Sequence, residues 1–240
     1  MKKNCYLLFK LALSAGATAL LASPAYANNF WIGTTSDWND GANWTTGAAP
    51  DSVFGNGHYF VSGTANGATV SDTAIIPAGV HQSVWMHAGF NGSAGTVIQA
   101  AGSTVTNTGG YRFGRSTGSG TYVMNGDALT VRNEFNMGYN PGSGAHNFIQ
   151  NSGTVTVTGS QNHWIGNNQN QPSTVTLNGG SFNLTHPSNA FVVGGNSDGT
   201  LIIGAGASFS SNKRIQTSNG HPGGATIAGN IAVNGGSLIA

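Results

Sequence analysis

Charge is what this sequence most lacks. Charged side chains make up 6% of its 240 residues, against roughly 25% in an average soluble domain. Eight Lys+Arg stand beside seven Asp+Glu, which is not the basic excess that a phosphate backbone demands, and nucleic-acid binding is excluded on that ground. Glu134 is the single glutamate, so long solvated helices laced with Glu/Lys pairs are not expected. Cysteine is confined to Cys5. Beyond residue 27 there is no capped stretch with the apolar period of a helix. Nor does a second long apolar run occur there, so no membrane-spanning helix is expected.

The first 27 residues read as an export signal. Lys2 and Lys3 form a positive start, an apolar run leads to Leu21, and Ala25-Tyr26-Ala27 supplies the small-x-small pattern of a signal peptidase site. The apolar core, mostly Leu11 to Leu21, is too short to span a bilayer. Cleavage after Ala27 is therefore expected. It removes Lys2, Lys3, Lys10 and Cys5, leaving five Lys/Arg against seven Asp/Glu, a net charge of −2, in residues 28–240. The expected location is outside the cell or on its surface, with the periplasm as the alternative. Without a thiol, an oxidising compartment neither helps nor harms the mature chain.

What the sequence has in abundance is Gly, 38 residues, and Asn, 27 residues. They punctuate a repeat. Short β-branched runs begin at Thr73 (TAII), Thr96 (TVIQ), Thr121 (TYVM), Asn147 (NFIQ), Thr174 (TVTL), Thr200 (TLII) and Ala225 (ATIAG), at spacings of 23, 25, 26, 27, 26 and 25. Most lead through a Gly-containing turn into a second alternating run, ending for example at Val131, Val157 and Leu184. A third apolar patch comes next and closes on Gly89, Gly114, Gly138, Gly166 or Gly194. Alternation over four to six residues bounded by Gly, Asn, Ser and Asp means short strands. Three strands in a period of about 26 favour a coil that stacks on its copies over a sandwich of independent strands.

The expected fold is all-β: a right-handed parallel β-solenoid, or β-helix, of about seven coils over residues 72–240. Val97, Tyr122, Phe148, Val175 and Leu201 should then be column neighbours. The five closing glycines should be corners that need positive φ or close backbone approach. Residues 28–71 lie outside the repeat and hold Trp31, Trp38 and Trp44. These rings are either a glycan-stacking platform or the hydrophobic N-terminal cap that terminal coils require. At the other end VNGGSLIA reaches Ala240 inside a repeat, the pattern expected of a truncated array.

Segments such as GTYVMNGDALTV and NFIQNSGTVTVTGSQNHWIGNN, with the opening W-x-G…W-x5-W…P from Trp31 to Pro50, resemble secreted bacterial β-helix repeat proteins. Those proteins often carry a PEP-CTERM sorting signal and resemble autotransporter passenger domains. The resemblance covers most of residues 28–240 and implies an exported surface or matrix protein, usually without catalysis. Neither the sorting tail nor the autotransporter barrel occurs within the 240 residues.

Catalysis by a β-helix lyase or hydrolase needs convergent carboxylates or bases. In repeat register none of Asp72, Asp127, Glu134 and Asp198 shares a column, and Glu134 reads as the partner of Arg112 or Arg115 in a weak surface ion pair. Seven His occur, at positions 58, 81, 87, 146, 163, 186 and 221, without metal-ligand spacing. Thr154-x-Thr156-x-Thr158 suggests an ice-binding array, but a matching Thr-x-Thr column is not expected in the other coils. The expectation is a non-enzymatic adhesion or assembly protein, with no metal or cofactor, whose partners are polysaccharide or other copies of itself. The alternatives are a carbohydrate-binding module using Trp31, Trp38 and Trp44, and a β-helix lyase or hydrolase.

Overall fold

The computed structural model describes residues 28–33, 37–47, 49–50, 58–61, 64–65, 68–69, 73–115, 117–139, 144–161, 163–168, 170–185, 190–217 and 227–240. The expected signal segment, Asp51, Asp72, His186 and His221 lie outside them. Within them the chain is a parallel β-solenoid with one short 3-10 turn, Gly41–Asn43. Only Thr64–Ala65 and Ala68–Thr69 pair as antiparallel strands.

Each coil contributes to three faces. The first face stacks Thr73–Ile76, Gly95–Gln99, Gly120–Met124, His146–Gln150, Ser173–Leu177, Gly199–Gly204 and Gly229–Asn234. These seven strands enclose six complete turns, one fewer than the seven coils expected from seven runs. The second face runs from the beginning of Gly79–Phe90 and Ser103–Arg115 through Ala128–Val131, Thr154–Val157, Gly180–Leu184, Ala207–Ser211 and Ser237–Ile239. The third takes the ends of those two long strands. It continues through Glu134–Met137, His163–Ile165, Phe191–Val193 and Ile215–Thr217. In the two long strands the second and third faces are continuous, with a register shift between Ser83 and Trp85.

Burial alternates strictly along the first six strands of the first face because successive side chains point to opposite sides of a strand. Val97, Tyr122, Phe148, Val175 and Leu201 form one inward column in the expected order. Ala74 precedes them and Ile231 succeeds them. The final spacing is 30 residues, since Thr200 pairs with Asn230. The run beginning at Ala225 is therefore not the seventh strand; Gly229–Asn234 is.

Aromatic rings carry the core through several coils. Tyr122 and Phe148 stack at 5.5 Å and 2°, while Phe148 meets Phe113, Phe135 and Phe182 edge-on. The five closing glycines stand in one column, each after a register-paired residue, and have φ from 65° to 80°. At Gly166 a Cβ would also overlap the backbone carbonyl of Ser197. Only Gly satisfies both conditions.

The described parts of residues 28–61 are joined to the solenoid more closely than a separate cap would be. Asn28–Phe30 pairs in parallel with His58–Val61, which pairs with the end of Gly79–Phe90, so the third face begins before residue 72. The Trp38 N–H donates to the Ile75 carbonyl, and Asp37 bridges Ile75, which covers the open edge of the first face. Trp31, Trp38 and Trp44 are at most 1% exposed. Trp44 receives Trp31 and Trp38 edge-on at 5.1 and 4.8 Å, and its Nε1 donates to the Trp38 carbonyl at 3.0 Å. The rings fill this end of the core.

Candidate functional site

The burial of Trp31, Trp38 and Trp44 leaves no ring face for a sugar to stack on. The described acidic residues of the coils are scattered. Asp127 is exposed at the corner between the first and second faces, and Glu134 opens a third-face strand. Asp198 accepts the Ala228 N–H at 2.9 Å at a corner leading into the first face, three rungs beyond Asp127. Among the described residues no group of three His, Cys, Asp or Glu gathers.

Glu134 pairs with Arg112, one of the two partners expected, but not at the open surface. Its carboxylate accepts from Arg112 at 2.7 and 2.8 Å and from the Asn136 Nδ2 at 2.7 Å. The Arg112 and Glu134 side chains are only 14% and 11% exposed, so this is not the weak surface pair that the sequence suggested. The guanidinium is also sandwiched, with its Cζ 4.0 Å from the Trp85 ring centroid and 3.7 Å from that of Tyr139. Trp85 stacks on His58 at 5.7 Å, and the His58 Nδ1 lies 2.9 Å from the His87 Nε2. Asn167 donates to the Asn136 Oδ1 at 3.0 Å. The outer side of the third face thus carries a covered polar and aromatic layer. Phe60 and Val192 belong to it; both are buried but stand outside the main core cluster.

Sequence pattern does not reveal that layer. Trp85, Arg112 and Asn136 occupy outward positions of an alternating strand, where exposure is the default. The signal is the glycine pair opposite Trp85. A Cβ on Gly109 would lie 2.7 Å from the Trp85 Nε1, and one on Gly110 would lie 2.6 Å from its Cζ3. The ring lies flat over a rung without side chains.

The remaining described histidines serve the backbone. His146 and His163 each open a strand, and their Nδ1 atoms accept the N–H of the rung partner in the preceding coil, Gly120 at 3.1 Å and Phe135 at 3.2 Å. Burial lowers the His146 pKa to about 4, against the opposing effect of the Gln171 side chain. Both Tyr111 and Tyr122 are held far above the usual phenol range, chiefly by burial. The Tyr122 hydroxyl donates to the Gln99 Oε1 at 2.6 Å.

The outer sides of the first two faces are different in kind. On the first, one column reads Thr73, Thr96, Thr121, Asn147, Thr174, Thr200, Asn230. The column two residues on reads Ile75, Ile98, Val123, Ile149, Thr176, Ile202, Ala232. On the second face Thr106, Thr130, Thr156, Asn183 and Ser210 form one column. Beside it stand Thr104, Ala128, Thr154, Ser181 and Ser208. Thr154-x-Thr156 therefore has a match two coils away in Thr104-x-Thr106, contrary to the expectation from sequence. Neither pair of columns contains a charged residue. The described charged residues lie at corners, in the N-terminal segment or on the third face.

Comparison with protein families, with curated sequences and with solved structures gives no match.

Proposed function

We propose that this chain is an exported, non-enzymatic β-solenoid protein of a cell surface or extracellular matrix, acting in adhesion or assembly. The observation that carries the reading is the pair of charge-free outer faces, each a regular grid of Thr, Ser, Asn and aliphatic side chains. Such a grid offers many identical weak contacts, which add up when the partner is itself repetitive. The N-terminal leader and the resemblance to secreted bacterial β-helix proteins support export to a surface. Among the described residues the carboxylates are dispersed and bring no acid/base pair together for glycoside cleavage, which favours binding over turnover.

The test is a panel of plant, algal and bacterial polysaccharides incubated with the mature chain. Both pull-down and new reducing or unsaturated ends are scored. Retention on one or more polymers without new ends is the expected result. Cleavage products that vanish on replacing Asp127, Glu134 or Asp198 would restore the lyase or hydrolase reading.

A further inference from the structure

We propose that the outer side of the first face binds ice. The inference rests on the reading of this protein as one that acts through its faces, and it names the partner of one of them. Four observations converge on it.

The first is geometry. Neighbouring rungs are about 4.8 Å apart, and alternate residues along a strand are roughly 6.6 Å apart. Thr96, Thr121, Thr174 and Thr200 therefore lie on a regular two-dimensional grid with the aliphatic column beside them. These spacings are close to repeats of the hexagonal ice lattice. The second is stiffness. Thr, Ile and Val are β-branched and hold few χ1 rotamers, so methyl and hydroxyl groups recur at fixed positions from coil to coil.

The third is charge. No ionised side chain stands on this grid, so nothing there holds a tight shell of liquid water that a neutral lattice would have to displace. The fourth separates the first face from the second. The hydroxyls of Thr96, Thr121, Thr174 and Thr200 make no hydrogen bond within the described structure, whereas polar groups of the second face bond one another. There Ser181 donates to Thr154 at 3.2 Å and Ser210 to the Asn183 Oδ1 at 2.8 Å. These four hydroxyls thus remain available to ordered water anchored around the adjacent methyl groups.

A soluble glycan fits this face less well. Sugar sites use concavity and ring stacking, and the first face has no outward aromatic residue.

The experiment uses the mature chain, labelled and held in a slowly growing ice hemisphere, with inhibition of ice recrystallisation measured alongside. Enrichment in the ice and suppressed recrystallisation are expected. Thr121→Tyr and Ile149→Lys should abolish both, whereas Thr156→Tyr on the second face should leave them intact. Circular dichroism melting reports whether each variant is folded. If a bulky variant fails to fold, Thr121→Val combined with Thr174→Val keeps the shape, removes two hydroxyls and should weaken both readouts. Exclusion of the folded wild type from ice overturns the proposal, as does equal loss in the second-face variant. Concentration-dependent pairing of chains that the same first-face substitutions abolish would assign the face to a second copy and overturn it too. Polysaccharide capture without ice binding overturns this proposal while leaving the adhesion reading standing.

Discussion

The first and third faces are made by the same coils, yet they use opposite sides of the sheet differently. On the first, all strands but the last alternate strictly, one side in the core and the other partly exposed. On the third, strands are short and Glu134–Met137 is buried at all four positions. The difference lies in the corner after each strand. Beyond the first face the chain turns tightly into the second. Beyond Glu134–Met137 it turns at Gly138, and Tyr139 folds back over Arg112. Asn168 then ties that segment down by donating to the Gly138 carbonyl at 3.0 Å and to the Tyr139 carbonyl. A sheet face is a surface only where its corners leave it uncovered.

The largest expected effects lie in the core that both faces share. Phe148 belongs to the first face but touches rings of the other two. Phe148→Ala should cost about 4 kcal/mol, the usual range for deleting a buried aromatic ring. Gly166→Val, at the corner closing the third face, should cost about 3 kcal/mol, through positive φ and overlap with the Ser197 carbonyl. Thermal melting of both variants beside wild type checks the order. A Gly166→Val protein that melts with wild type would remove the corner from the account of why the two faces differ.

Acid sharpens the comparison from the side of the first face. His146 must stay neutral to accept the Gly120 N–H, and its folded pKa is depressed to about 4. In the unfolded chain it titrates near about 6.5. The unfolded state therefore binds the extra proton first as pH falls. The stabilisation is full above the unfolded value and is lost between roughly pH 6.5 and pH 4, to a total of up to about 3 kcal/mol. The measurement is denaturant midpoint against pH for wild type and His146→Gln. A flatter profile for the variant is expected. Parallel profiles would place the acid sensitivity elsewhere.

The two faces are also unequally legible in the sequence. Alternation in TVIQ, TYVM, NFIQ and TVTL marks the first face's strands, its inward column and its register, because one side is dry and the other wet. Pattern reading fails where both sides are covered. Trp85, Arg112 and Asn136 look like solvent positions until a corner one coil away closes over them. Continuity of the second and third faces in Gly79–Phe90 and Ser103–Arg115 is hidden for another reason: Asn107 and the Gly109–Gly110 pair at the bend read as a turn that ends the strand. The final rung is ambiguous because ATIAG and GNIAVN fit the same template, and only the 30-residue pairing of Thr200 with Asn230 decides between them. The Trp cluster reads as either platform or plug, and the bonds of Trp38 to Ile75 and Trp44 to Trp38 place it against the open edge.

The smallest predicted change isolates the comparison most cleanly. Thr121 and Asn136 both point outward, one on each face. Thr121→Val keeps the branched shape and removes a hydroxyl that bonds nothing in the described structure, so its effect on stability should stay within about 0.5 kcal/mol. Asn136→Val removes the donor to Glu134 and the acceptor from Asn167. It leaves a largely buried carboxylate short of one partner, which should cost about 2 kcal/mol. The pair is measured as the difference in urea midpoint at constant slope. If Asn136→Val is as mild as Thr121→Val, the outer side of the third face is wet in solution, and the contrast between the faces does not hold. If Thr121→Val is as damaging as Asn136→Val, its hydroxyl has a partner within the fold and is not free to meet a lattice outside it.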